Sequence, residues 1–198
     1  MRRSWTTSSR SWRPTVCYLL IHGSHTDLSA DGPLQALEIP RSHVDVVELV
    51  GEGQFGVVTR ATVVLHRGES VVAAVKFLKD DLEEADRRAL IAEATQMAST
   101  SNAYVVKLLA VCLSSRPNFI VLEYMSHGDL KSYLVACGQQ LSREHLLRLS
   151  LDASSGIAYL NSLKLVHRDV AARNVLLDER YHGKVGDFGL CRVLCWSE

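Results

Sequence analysis

The chain has 198 residues, 47% hydrophobic and 22% charged, enough apolar mass to bury a core in one domain or two small lobes and too much for a collagenous, low-complexity or wholly disordered chain. Lys and Arg total 22, as do Asp and Glu, so bulk charge offers no case for a nucleic-acid or membrane-surface partner; any anionic ligand has to be held locally. Five cysteines, Cys17, Cys112, Cys137, Cys191 and Cys195, are widely spaced without a C-x-x-C pair, which fits reduced thiols in a reducing compartment and argues against a disulfide framework or a structural zinc site.

Residues 1–43 read as a disordered or irregular N-terminal segment. Arg2, Arg3, Arg10 and Arg13 stand among seven Ser or Thr in the first 15 positions. That composition is compatible with a mitochondrial transit peptide, but the apolar periodicity is poor and favours a tail. The apolar run Val16 to Ile21 is too short for a signal-peptide core or a membrane span, and no transmembrane segment is expected.

From Val44 the pattern becomes globular. Val44 and Val46, then Val57, Val58, Val63 and Val64, flank a glycine cluster and predict two strands joined by a Gly-rich turn. Val71 to Phe77 predicts a third strand. Asp81 with Glu84 resembles a capping box, opening a helix that runs to about Met97, with Ala85, Ala89, Glu93 and Met97 on one face. Val105 to Cys112 and Phe119 to Tyr124 predict two more strands, completing a five-stranded antiparallel sheet with one helix. After Gly128 the texture turns helical, with a short helix around Leu130 to Ala136. A longer one, capped by Ser142, ends before Leu165.

Three clusters carry chemistry. The first, Gly51-Glu52-Gly53-Gln54-Phe55-Gly56, contains G-x-G-x-x-G, which also fits a dinucleotide-binding turn. In that fold the glycines open a helix; here β-branched residues follow, favouring a hairpin whose glycines let backbone amides approach phosphates. The second is Lys76, in the apolar strand Val72-Ala-Ala74-Val75-Lys76. An ammonium held partly out of water needs a counter-charge, which Glu93 on its helix can supply; a lysine snorkelling to solvent is the simpler alternative. The third is His167-Arg168-Asp169-Val-Ala171-Ala172-Arg173-Asn174, followed by Asp187-Phe188-Gly189.

In this order, the glycine hairpin, Val-Ala-Ala-Val-Lys, His-Arg-Asp and Asp-Phe-Gly form the protein-kinase signature set, and the chain resembles a protein kinase from about Pro40 to Arg192. The resemblance implies an α+β, bilobal fold: an N-lobe and hinge over 44–125, with a complete five-stranded sheet and one helix, and a truncated, mainly helical C-lobe over 126–198. It implies an enzyme that transfers phosphoryl from ATP with Mg2+. Asp169 would accept or orient the proton of the substrate hydroxyl. Asn174 and Asp187 would bind magnesium. Lys76, paired with Glu93, would hold the α- and β-phosphates beneath the glycine loop. Val58, Ala74 and Leu176 would sandwich the adenine, Glu123 and Met125 would offer hinge hydrogen bonds, and Leu122 would narrow the rear of the pocket. Met97, Leu108, His167 and Phe188 correspond to a stack linking the helix to both lobes, but read equally well as plain core; His167 reads as a packed core histidine rather than a base.

Ala171 stands where serine/threonine kinases of this type place a lysine, and Arg173 can deliver the cation instead. Ala-Ala-Arg-Asn is the form seen in many tyrosine kinases, so the expected substrate is a protein or peptide tyrosine. The sequence stops before an activation-loop tyrosine and Ala-Pro-Glu, which leads us to expect exposed apolar faces on the long helix and weak or absent activity for this chain alone. The alternative is a catalytically silent nucleotide-binding or interaction fragment. A cytoplasmic location is expected, the parent being cytosolic or a receptor with an intracellular kinase domain.

Overall fold

The computed structural model describes residues 33–52, 56–78 and 84–193. The readings placed on the N-terminal 32 residues, on Gly53, Gln54 and Phe55, and on the Asp81 cap lie outside the described residues. The two strands that flank the glycine cluster pair as expected, with β1 (Val44–Glu52) running antiparallel to β2 (Gly56–Val64), followed by β3 (Ser70–Leu78). After α1 (Glu84–Ala98) come β4 (Leu108–Cys112) and β5 (Phe119–Glu123), which insert so that the sheet order is β1-β2-β3-β5-β4, every pair antiparallel.

The strands alternate because both faces of the sheet are covered differently. One face buries Ala61, Val63, Ala73, Val75, Phe119 and Val121 in a cluster that also takes in Ile39. Ile39 belongs to the irregular segment before β1, whose amide donates to Val111 O at 2.8 Å. The Glu38 carboxylate accepts hydrogen bonds from Leu113 N and Ser114 N, each at 2.9 Å, which fastens this segment to the outer edge of β4.

The other face meets α1. Its buried residues are Leu90, Glu93, Ala94 and Met97, while Ala85 and Ala89 are exposed. The expected stripe is therefore correct in its C-terminal half and turned toward solvent in its first turns, because the chain's larger side chains at 90 and 97 set which way the helix packs. Val105 and Val106 also differ from expectation. They precede β4 rather than belong to it: Val106 N donates to Val185 O at 2.9 Å, and their β-branched side chains are buried in the cluster shared by sheet and helices.

Beyond β5 the chain forms α2 (Leu130–Cys137), capped by the Asp129 side chain, and α3 (Arg143–Ser162), capped by Ser142 as predicted. Three short antiparallel pairings complete the fold. They use β6 (Leu165–Val166), β7 (Val175–Leu177), β8 (Gly183–Val185) and β9 (Arg192–Val193), paired β6 with β9 and β7 with β8, while Asp129 bridges to Leu176. A continuous apolar cluster runs from Leu90, Met97 and Ile120 through Met125 and Phe188 to Leu160 and Leu165, joining sheet and helices. On α3, Leu149 and Leu160 are buried but Leu147 and Leu151 are 61% and 63% exposed, and Val170 in the loop after β6 is 67% exposed. These are the apolar surfaces expected to be open. Among the described residues no helix is long and apolar enough to cross a membrane.

Candidate active site

The register of the sheet decides which side chains share the face toward α1, since directly opposed residues in antiparallel strands point the same way. Val58 lies opposite Lys76, and Ala74 lies opposite Leu122. Val58, Ala74, Lys76 and Leu122 are all half-buried, whereas their sequence neighbours Thr59, Ala73, Val75 and Val121 are buried on the other face. Leu176, also half-buried, comes from β7, which is held to the segment after β5 by Leu177 N to Gly128 O at 2.8 Å. Met125 is buried at 7% exposure, and its amide has no backbone partner among the described residues.

Lys76 and Glu93 are brought together. The lysine Nζ lies 2.7 Å from Oε2 and 2.9 Å from Oε1 of Glu93, a bidentate contact in which the carboxylate is only 7% exposed. Burial of that carboxylate is tolerable because the ammonium is there. The alternative of a solvent-directed lysine is thereby set aside.

The loop after β6 and the turn after β8 are zipped into one unit. Gly186 N donates to Asn174 O at 2.8 Å, and His167 Nε2 lies 2.8 Å from Gly186 O. A carbonyl can only accept, so Nε2 carries the proton and Nδ1 is free to accept from Asp169 N at 3.3 Å. His167 is 4% exposed; it is a packed, hydrogen-bonded core histidine, as its sequence context predicts. Its ring centroid is 6.0 Å from that of Phe188, and Phe188, Met97 and Leu108 share one buried cluster.

These bonds hold two non-glycine residues in the left-handed region, Arg168 at φ 65° and Asp187 at φ 59°, a conformation worth about 1 to 3 kcal/mol of strain that persists only where the surroundings fix it. The consequence is geometric. Asp187 turns outward and is exposed, and a Cβ placed on Gly189 would meet Asp187 Oδ1 at 3.4 Å and Glu93 Oε2 at 4.0 Å. The Asp187 carboxylate therefore lies in the neighbourhood of the Lys76–Glu93 pair.

Asp169 receives hydrogen bonds from Arg173 Nη2 on Oδ1 and from Asn174 Nδ2 at 2.9 Å on Oδ2. Asn174 Nδ2 also reaches Asp169 O at 2.8 Å, which leaves the amide oxygen of Asn174 as its outward acceptor. The hydrogen bonds from Asn174 and Arg173 hold the Asp169 carboxyl below the usual carboxylate range. A lowered folded value means that the pairing is fully present above the ordinary carboxylate pKa and is lost as pH falls through the lower folded value. Asp169 is thus an anion throughout the neutral range.

Beyond the hinge hydrogen bonds expected of it, Glu123 has a structural role through its side chain. Its Oε2 lies 2.6 Å from Lys184 Nζ and its Oε1 accepts from Lys107 N at 2.8 Å, tying the end of β5 to β8. No local pattern signals a partner 61 positions away. Cys191 is buried, and burial, then the nearby Asp187 and Glu93 charges, push its thiol up to about 11. At neutral pH it is expected to be alkylated by iodoacetamide far more slowly than the half-buried Cys137, a difference read by peptide mass spectrometry; equal rates would contradict the burial.

Comparison with known proteins supplies the family. Residues 44–197 match the family described as protein tyrosine and serine/threonine kinase. The chain is 37% identical over 169 residues to tyrosine-protein kinase transforming protein ros of UR2 avian sarcoma virus, covering 77% of this chain and 42% of that protein. It is 33% identical to the insulin receptor of Xenopus laevis, covering 78% of this chain and 12% of the receptor. To tyrosine-protein kinase Fer of Homo sapiens it is 37% identical, covering 76% of this chain and 18% of the relative. The chain thus spans less than half the length of these relatives. On the strength of that match, and of the fold and motifs that accompany it, the chain belongs to the protein tyrosine and serine/threonine kinase family.

Proposed function

We propose that the cleft between sheet and helices binds ATP with Mg2+ and that the chain supports transfer of the terminal phosphoryl group to a protein tyrosine. The observation that carries the reading is the convergence of Lys76 from β3, Glu93 from α1 and Asp187 from the turn after β8 on one region, with Asp169 and Asn174 bonded to each other beside it. The donor set fits the cation: one carboxylate and one amide oxygen are hard ligands, and magnesium takes few protein oxygens together with phosphate oxygens. Among the described residues no cluster of three or more His, Cys, Asp or Glu offers a competing metal site. When bound, the cation neutralises charge on the phosphate oxygens.

In this reading each side chain has one task. The Lys76 ammonium, oriented by Glu93, contacts the α- and β-phosphates, and Gly51, Gly53 and Gly56 with the loop between them cover the nucleotide. Val58, Ala74 and Leu176 enclose the base, Leu122 closes the rear, and Met125 with the Glu123 backbone bonds the base edge. Asp169, kept ionised by Arg173 and Asn174, orients the tyrosine hydroxyl and takes its proton as the oxygen bonds to phosphorus and the bond to the nucleoside diphosphate breaks. Arg173 places its cation beside the transferred group. The free Cys112, Cys137 and Cys191 support a reducing, cytoplasmic setting.

The test is phosphotransfer from labelled ATP to matched peptides containing tyrosine or serine. Incorporation into the tyrosine peptide only is the expected result. Incorporation into serine alone would overturn the assignment, and nucleotide binding without turnover would make the chain a silent fragment.

A further inference from the structure

The same sheet register that aligns Ala74 with Leu122 continues outward. Glu48 on β1 lies opposite Arg60 on β2, and Arg60 lies opposite Ala74, so Glu48, Arg60, Ala74 and Leu122 form one row across four strands. In the nucleotide-binding reading, on which the clasp proposed below rests, this row faces the base. Lys76 belongs to the next row, opposite Val58. A cation therefore stands one strand in from the outer edge of the base row, separate from the one assigned to the phosphates.

Its position is fixed from two sides. The guanidinium carbon lies 5.8 Å from the ring centroid of Tyr124, the residue directly after β5. Nε is 3.3 Å from Glu48 Oε1, yet it is buried with no hydrogen-bond partner. The group is accordingly placed by charge and by the face of the ring rather than by directed hydrogen bonds. Cation-to-ring attraction operates at this separation. The contact joins β2 to the segment that links sheet and helices, across the outer end of the cleft.

We propose that Arg60 and Tyr124 form a clasp at the outer end of the nucleotide cleft, a positioning pair that retains the purine base and leaves the phosphates to Lys76. Glu48 braces the arginine. The clasp opens when the guanidinium leaves the ring, so its loss speeds escape of a nucleotide without altering how the phosphates are held.

The experiment measures dissociation of a ribose-labelled fluorescent ADP from the full chain. Arg60→Ala is expected to release it about threefold faster, the size of a partly exposed cation-to-ring contact. Tyr124→Leu, which keeps apolar bulk and removes the ring, is expected to do the same and carries the test if the alanine variant fails to fold. The double variant should be no faster than either single one, and Arg60→Lys should recover most of the wild-type rate. Displacement of the probe by inorganic tripolyphosphate, which has no base, supplies a readout that a merely structural role would not spare. Its affinity should be unchanged in all variants. Wild-type binding with both variants releasing at the wild-type rate would overturn the clasp and leave the nucleotide reading standing, as would equal weakening toward tripolyphosphate. No binding by the wild type would overturn the nucleotide reading and the clasp with it.

Discussion

Asp169→Asn should lower tyrosine phosphorylation by about 10² to 10⁴-fold, the usual contribution of a positioned general base, while nucleotide binding is retained. The substitution is nearly isosteric. It leaves one side-chain acceptor oxygen, enough for only one of Arg173 Nη2 and Asn174 Nδ2, but Asn174 Nδ2 also bonds the backbone oxygen of residue 169, so that bond still ties the loop together when the anion is lost. Because those two donors hold the native carboxyl below the usual range, the wild-type rate should show no acid limb from Asp169 near neutrality. A limb between pH 6 and 8 that vanishes in Asp169→Asn would contradict the geometry. Rate measurements across that range, at saturating nucleotide, decide the matter.

Lys76→Met should act on both stability and binding. The lysine is the only cation bonded to Glu93 among the described residues, and removing it strands a carboxylate that is 7% exposed. Breaking a fully buried pair costs about 3 to 5 kcal/mol; since the lysine side chain keeps 29% exposure, a loss of about 2 kcal/mol is the expected figure after discounting for solvent. Nucleotide affinity should fall with it. Glu93→Gln supplies the control: it leaves a hydrogen-bonding partner for the ammonium, so stability should drop less than in Lys76→Met while the orientation of the lysine is loosened. Chemical denaturation of the three proteins measures the first effect and fluorescent nucleotide titration the second. A Lys76→Met protein as stable as wild type, with unchanged affinity, would contradict the role of the pair.

What could be read in the sequence, and what could not, divides along a physical line. The order of strands and helices was legible because β-branched runs, the Ser142 cap and the glycine cluster are local signals. The Lys76–Glu93 pair was legible because its residue types are constrained by chemistry: a lysine in an apolar strand calls for a carboxylate, and Glu93 was the carboxylate in register with Met97 on the helix that follows. The face of α1 was only half legible, since which side of a helix is buried depends on what packs against it, and Ala85 and Ala89 carry too little apolar surface to compete with Leu90 and Met97. Val105 and Val106 have strand-forming side chains, but their backbone partner lies some 80 positions on, at Val185. The attachments of Glu38 to the end of β4, of Glu123 to Lys184 and of Arg60 to Tyr124 leave no periodic trace at all. Each is a single polar side chain whose partner is chosen by the fold.

The most direct measurement is the binding of manganese–ATP, with the paramagnetic ion in place of magnesium, followed by water-proton relaxation for the wild type, Asp187→Asn and Lys76→Met. The account predicts that the wild type binds the ion only together with the nucleotide, that Asp187→Asn loses the ion while keeping residual nucleotide binding, and that Lys76→Met loses both. Binding of manganese–ATP that is indifferent to residues 76 and 187 would contradict it.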